Sequence, residues 1–140
     1  MNILIVDDEV AFRQITKSYF GKEHIIFEAG NGKDALSLVI ECYKNPNMQI
    51  DLIVMDKNMP NIDGFQVVKA IRKYEKANRI LEKDRSKIVM LTAESCHDVR
   101  AEAFKLEVDT FITKPIVYER AKLKLQRIGV DIVKPESVTV

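Results

Sequence analysis

Cysteine is scarce in this chain: Cys42 and Cys96 are the two among 140 residues. They form no CxxC pair and no histidine pair stands near them, so a disulfide framework and a zinc site both give way to two reduced packing thiols. An excess of one charge sign is also missing. Lysine and arginine number 22 against 21 aspartates and glutamates, a formal net charge of +1, so no global field draws the protein onto nucleic acid or an anionic membrane. Direct nucleic-acid binding and membrane binding are therefore not expected, and any charged partner must meet a local patch. No apolar run approaches the roughly 18 residues of a membrane span, and the start, Met-Asn-Ile-Leu-Ile-Val-Asp-Asp, lacks the basic opening and longer apolar core of a signal peptide. A soluble cytoplasmic protein is expected. There is no internal repeat and no low-complexity tract. A length of 140 residues suits one domain that buries its core without disulfides or a structural metal.

What the chain does contain is a series of short apolar runs that end in chemistry. Residues 3–6 lead into Asp7-Asp8, residues 52–55 into Asp56, and residues 88–91 into Thr92. These runs are continuous rather than alternating, which is what strands covered on both faces require. Shorter runs at 24–29 and 108–112 suit strands nearer the edges of a sheet. Between them lie stretches of helical spacing: Phe12, Ile15, Thr16 and Tyr19 before Gly21; Ala35, Leu36, Val39, Ile40 and Tyr43 between Asn31-Gly32 and Asn45-Pro46; Phe65, Val68, Ile71 and Tyr74 after Asp63-Gly64. A fourth helix is expected around Val99, Ala103 and Leu106 with Ser95 as its cap, and a fifth along Val117, Ala121, Leu125 and Ile128. Five strand-helix alternations with right-handed crossovers predict an α/β fold, a doubly wound parallel five-stranded sheet. By analogy with flavodoxin-like (βα)5 folds its order is 2-1-3-4-5. Such sheets bind ligands beyond the carboxyl ends of their strands, and Asp7-Asp8, Asp56, Thr92 and Lys114 all fall at such ends.

Three carboxylates brought together repel one another and lose hydration, so a cation is needed to compensate. Magnesium is the natural one, since it prefers oxygen ligands and commonly combines one or two carboxylates with phosphate oxygens. Asp8 and Asp56 are the direct-ligand candidates, with Asp7 acting through water. The Asp56 carboxylate can attack phosphorus to give an acyl phosphate, Lys114 can hold a phosphoryl oxygen, and the Thr92 hydroxyl can donate to another. Each residue alone has a structural reading: an Asp pair caps a helix, Asp56 with Pro60 and Asp63-Gly64 makes a turn, Thr92 favours a strand, and Lys114 is a solvated charge constrained by Pro115. Their joint order and spacing favour one site.

The ordered set Asp7-Asp8, Asp56 with Met59-Pro60 and Asp63-Gly64, Thr92-Ala93, and Lys114-Pro115 closely resembles the receiver domain of two-component response regulators. The resemblance spans residues 2 to 128, so the receiver is taken as 1–128 and residues 129–140 as a carboxy-terminal tail. It implies that Asp56 is the phosphoacceptor and that Asp7, Asp8, Asp56 and the backbone carbonyl of Asn58 bind Mg2+ (or Mn2+). Lys114 then contacts the phosphoryl group, Thr92 is the switch hydroxyl, Phe111 is the switch aromatic, and Asn58 and Glu94 modulate hydrolysis. The implied function is a phosphorelay switch. It accepts phosphate from a histidine kinase or a histidine phosphotransfer protein and dephosphorylates itself, catalysing those two steps only. Its output is a changed surface of the fourth helix, fifth strand and fifth helix, presented to a downstream protein target. That fifth helix carries Arg120, Lys122, Lys124 and Arg127.

Two features depart from the family pattern. The link from Arg72 to Lys87 is longer than usual and rich in charge, and reads as a lengthened helix end followed by a mobile charged loop. The β-branched residues after Gly129 suit either an extended segment that docks on a partner or an unstructured tail. Met1 just before the first strand and the absence of a following helix-turn-helix or catalytic domain make a single-domain receiver the expectation. Two other classes on related folds fit less well. A flavodoxin-like electron carrier needs a phosphate-cradling loop where Asp7-Asp8-Glu9 would repel phosphate. An Asp-nucleophile phosphatase would show an Asp-x-Asp arrangement after its first strand, whereas Asp7 and Asp8 are adjacent. His24 and His97 lie far from the acidic segments and are not expected to be ligands.

Overall fold

The three continuous apolar runs form the middle of one sheet. In a computed structural model, which describes residues 1–93, 101, 105 and 107–135, residues 3–6, 52–55 and 88–91 are all at most 3% exposed. The strands are β1 (Asn2–Val6), β2 (Ile25–Ala29), β3 (Leu52–Asp56), β4 (Lys87–Thr92) and β5 (Thr110–Thr113), all parallel, in the order β2-β1-β3-β4-β5. The two shorter runs do lie at the edges. The α-helices whose bounds fall among the described residues are α1 (Val10–Lys17), α2 (Gly32–Lys44), α3 (Gly64–Ala77) and α4 (Tyr118–Gln126). Here α4 is the basic helix that the sequence counts as fifth. The helix expected around Val99, Ala103 and Leu106, its cap Ser95, and also Cys96 and His97 lie outside the described residues.

Alternation along the strands sends side chains to two cores. Leu4, Val6, Ile53, Met55, Ile88 and Met90 pack with Ala35, Val39, Val68 and Ile71 of α2 and α3. Ile3, Ile5, Leu52, Val54, Val89 and Leu91 pack with Ala121 and Leu125 of α4 and with Phe12 and Tyr19 from the α1 side. Helices thus cover both faces, which is why the strands carry no polar alternation. Local chemistry sets the helix starts: Asn31 accepts from the Asp34 amide at 2.8 Å, and Asp63 and Gln66 form a reciprocal capping box ahead of α3. No helix among the described residues is long and apolar enough to cross a membrane. Cys42 is a buried free thiol whose pKa is raised, first by burial and then by Glu41.

Two expectations need correction. The charged link after α3 is not an open, irregular loop but is hydrogen-bonded along its length. Ile80 donates to the Glu75 carbonyl at 2.9 Å, residues Glu82–Asp84 make a 3-10 turn, and Arg85 donates to the Ile80 carbonyl at 3.1 Å and lies 3.7 Å from Glu107. Two charges of the α3 end that precedes it are core residues, since Arg72 is 7% and Glu75 0% exposed, paired at 2.8 Å. The segment after α4 neither hangs free nor waits for a partner over its first part. Val130 and Ile132 are buried among the α1 and α4 side chains, and the Val133 amide donates to the Tyr19 carbonyl at 2.8 Å. Burying two apolar side chains is reason enough for the chain to turn back at Gly129, whose φ of +80° suits glycine.

Candidate functional site

β1 delivers Asp7 and Asp8 to the carboxyl edge of the sheet, and β3 ends on Asp56 beside β1. Asp7 and Asp56 are 1% and 2% exposed, while Asp8 faces solvent. One carboxylate oxygen from each of the three lies within 4.8 Å of the others. Lys114, just past β5, bridges two of them, with Nζ 3.0 Å from Asp56 Oδ1 and 3.2 Å from Asp7 Oδ2. Its peptide bond to Pro115 is cis. Thr92 ends β4, fully buried, one residue beyond the partner of Asp56 in the register, and the Lys114 amide donates to its carbonyl at 2.7 Å. Asn58 is exposed, and its amide donates to Asp56 Oδ1 at 3.2 Å. Phe111 lies in β5 opposite Met90, half-buried against the α2–α3 core. Glu94 lies outside the described residues.

The electrostatics follow from this crowding. Burial pushes the Asp56 carboxyl above its ordinary value, the neighbouring Asp7 charge adds to the push, and the Lys114 and Asn58 hydrogen bonds only partly oppose it. Burial works to lower the Lys114 pKa, but the hydrogen bond and charge of Asp56, then the Asp7 contacts, outweigh it, so the ammonium is held above its usual range. Two buried carboxylates share one ammonium, with a third carboxylate at the rim. The three carboxylates offer only oxygen donors and, against one ammonium, are two positive charges short, which suits a hard divalent cation such as Mg2+.

Several supports were not legible as site residues. Arg13 Nη1 donates to the Asp7 carbonyl at 2.5 Å while Nε bonds Glu28 at 3.2 Å, fixing α1 to the end of β1. The Phe12 ring lies 4.0 Å from Lys114 Nζ. Gly64 passes so close to the site that an added Cβ would stand 2.3 Å from the Asp56 carbonyl oxygen. On the basic helix, Lys124 does not point away from the domain: Nζ donates to the Phe111 carbonyl at 2.8 Å and sits 4.3 Å from its ring centroid. The sequence marks Asp63-Gly64 as a motif and Phe12 as a helix-face residue, but carries no local sign of what Arg13 or Lys124 reach.

The family profile of the response regulator receiver domain matches residues 3–126. The chain belongs to that family. This receiver is 35% identical over 130 residues to the transcriptional regulatory protein ResD of Bacillus subtilis, a match that covers 89% of this chain and 48% of ResD. The transcriptional regulatory protein SrrA of Staphylococcus aureus matches to the same extent, so the receiver spans about half the length of the curated relatives it matches. Among solved structures it is similar to the Vibrio cholerae chemotaxis protein CheY4, with 27% identity, a TM-score of 0.71, and coverage of 91% of this chain and 97% of that one. It is also similar to a Saccharomyces cerevisiae structure of the histidine phosphotransfer protein Ypd1 with the receiver domain of its downstream response regulator Ssk1. There identity is 28%, the TM-score 0.76, and coverage 92% of this chain and 88% of that chain. Receivers are the signalling switches of two-component systems rather than conventional enzymes.

Proposed function

We propose that this receiver is a phosphoryl-accepting switch, with Asp56 as the acceptor and a phosphohistidine on a histidine kinase or histidine phosphotransfer protein as the donor. The observation that carries the reading is the buried triangle of Asp7, Asp56 and Lys114 with Asp8 at its rim, all at the strand ends where this fold binds ligands. The pairing of the Ssk1 receiver with Ypd1 supports the class of donor. Asp7, Asp8, Asp56 and the Asn58 carbonyl would hold Mg2+ or Mn2+, which when bound supplies neutralising charge for the phosphoryl oxygens.

An Asp56 carboxylate oxygen attacks phosphorus, the phosphorus-nitrogen bond breaks, and the imidazole leaves with its electron pair and takes up a proton. Lys114 releases Asp56 and holds a phosphoryl oxygen. Thr92 donates its hydroxyl to another, and Phe111 follows the vacated space, which changes the surface of β5 and α4 that a downstream protein reads. Water later cleaves the acyl phosphate. Exposed Asn58, together with Glu94, sets access for that water, and we expect a short-lived phosphoryl group. The transcriptional role named for ResD and SrrA belongs to proteins of about twice this length, and output through a protein surface is our reading for these residues. The test is incubation with Mg2+ and acetyl phosphate, followed by mapping of the adduct. We expect a single phosphoryl group on Asp56. Labelling elsewhere, labelling that persists in Asp56→Ala, or an adduct stable for many hours would each overturn part of the reading.

A further inference from the structure

We propose that Phe12 is a positioning residue for Lys114, its ring face keeping the ammonium over the site when the carboxylates turn to other partners. The inference rests on the reading of Asp56 as phosphoacceptor. Among the described residues, Lys114 Nζ has three close partners: Asp56 Oδ1 at 3.0 Å, Asp7 Oδ2 at 3.2 Å and the Phe12 ring, whose centroid is 4.0 Å away. The first two are the residues a divalent cation and a phosphoryl group would claim. Once they are claimed, the ammonium loses both anions that hold it in the resting protein. The ring cannot be drawn away in that fashion. It is not a metal donor, and its quadrupole attracts a cation at this distance most strongly where water is partly excluded, as at a lysine side chain 20% exposed.

The ring is also well anchored. Phe12 packs against the α1–α4 core. Its neighbour Arg13 ties the same turn of helix to the Asp7 carbonyl at 2.5 Å and to Glu28 at 3.2 Å. The platform beneath Lys114 is thus rigidly placed relative to Asp7, so the lysine keeps its aim while it exchanges a carboxylate for a phosphoryl oxygen. Pre-positioning of a charged group in this way saves reorganisation at the moment of reaction.

Helix periodicity alone makes Phe12 a packing residue, and the test must separate packing from cation attraction. Fluorination does so, because 4-fluoro, 3,5-difluoro and 3,4,5-trifluorophenylalanine nearly preserve size while progressively weakening the ring quadrupole. Each would be installed at position 12 of the full chain, with Phe12→Leu as the fully apolar control. The first measurement is the rate constant for phosphorylation of Asp56 by acetyl phosphate at saturating Mg2+, read by intact mass. The second, on metal-free protein, is the proton chemical shift of the Lys114 ε-methylene, which a ring face at this distance moves upfield. We expect the logarithm of the rate to fall stepwise with fluorine count, by roughly threefold to tenfold in total, and to lose that dependence in Lys114→Ala. We expect the upfield shift to vanish in Phe12→Leu. Rates that are flat across a phosphorylated series, a slope that survives Lys114→Ala, or ε-protons at the free-lysine position would overturn the role of Phe12 alone. A protein that takes no phosphoryl group on Asp56 would overturn the reading of the site on which that role depends.

Discussion

Replacing Asp56 by asparagine should make the metal-free protein more stable at neutral pH, although it removes the residue on which the proposed chemistry depends. Carboxylate oxygens of Asp7 and Asp56 lie within 4.8 Å of each other, a repulsion of about 1 kcal/mol at the dielectric of water and about 3.5 kcal/mol at an effective value of 20. The Lys114 ammonium at 3.0 Å more than cancels that one repulsion, but it is shared with Asp7, Asp8 adds a further negative charge, and Asp56 is 2% exposed. Burial leads the causes that hold the Asp56 carboxyl above its ordinary value of 3.8, so the ionised form is disfavoured in the fold. Asparagine keeps an acceptor for the Asn58 amide and carries no charge. The expected gain is on the order of 1 kcal/mol, or about 3–5 °C in melting temperature for a domain of this size. The sign of the pH dependence is determined. A carboxyl whose folded pKa is raised binds protons more tightly folded than unfolded, so wild-type stability falls as pH rises from 3.8 through the raised value. The advantage of Asp56→Asn must therefore be largest above that window and vanish below it. Urea denaturation with EDTA from pH 4 to pH 8 measures this, and added Mg2+ should narrow the gap by stabilising the wild type. An asparagine variant less stable than wild type at pH 7, or a gap that grows on acidification, would refute the electrostatic account.

Other consequences are independent of the phosphoryl reading. A chain ending at residue 128 should melt well below one ending at residue 135, because it exposes the sites of Val130 and Ile132, 1% and 7% exposed. At roughly 1.5–3 kcal/mol for each such side chain as an upper bound, the loss is several kcal/mol, and equal melting temperatures would show that the returning segment contributes nothing. Gly64→Ala places a Cβ 2.3 Å from the Asp56 carbonyl oxygen and 2.9 Å from Lys57 Cα, both backbone atoms that cannot swing aside. It should cost about 1–3 kcal/mol and weaken Mg2+ binding, measured by titration, more than an alanine at exposed Asn78 does; unchanged affinity would mean the loop absorbs the strain without moving Asp56.

What was legible in the sequence is what depends on runs and order. The run at 88–91 that leads into Thr92 becomes β4 at Lys87–Thr92, because both of its faces are buried and nothing competes with the pattern. β5 begins at Thr110 rather than at 108, since the Asp109 carboxylate accepts from the Ile88 amide at 2.7 Å and the Asp109 amide donates to the Ile88 carbonyl at 2.9 Å, which makes that residue a clamp at the strand entrance. Lys124 reads as one more cation in a basic helix, and only the fold brings it to Phe111. Glu75 reads as one surface charge among many between Arg72 and Lys87. Its burial depends on Tyr43 and Ser86, 32 and 11 residues away in sequence, a separation that no local pattern reports.

That buried glutamate also explains how the fold carries an acidic edge that opposes it. At the carboxyl ends of the strands charges are crowded and incompletely paired, whereas at the amino ends they are matched. Arg72 Nη1 donates to Glu75 Oε1 at 2.8 Å and to the Ser86 carbonyl at 2.9 Å, and Nε and Nη2 donate to the Glu107 carbonyl at 3.2 and 2.9 Å. The Tyr43 hydroxyl donates to Glu75, and burial followed by that hydrogen bond pushes its pKa up to about 12. Ser86 Oγ reaches the Ile50 carbonyl at 2.7 Å. The network joins α2, α3 and the entrances of β3, β4 and β5. Removing one member of a buried pair costs about 3–5 kcal/mol, because the other is left uncompensated, whereas replacing both by apolar groups can be neutral. Glu75→Gln should therefore lower the melting temperature by about 10–15 °C, and Arg72→Met combined with Glu75→Leu should recover much of the loss. Because the network lies at the opposite edge from Asp56, the phosphorylation rate per folded molecule should be unchanged in Glu75→Gln at a temperature where it remains folded. A Glu75→Gln protein within about 0.5 kcal/mol of wild type would show that the buried pair is not what holds these entrances together, and a slowed reaction in the folded fraction would show that the two edges are coupled.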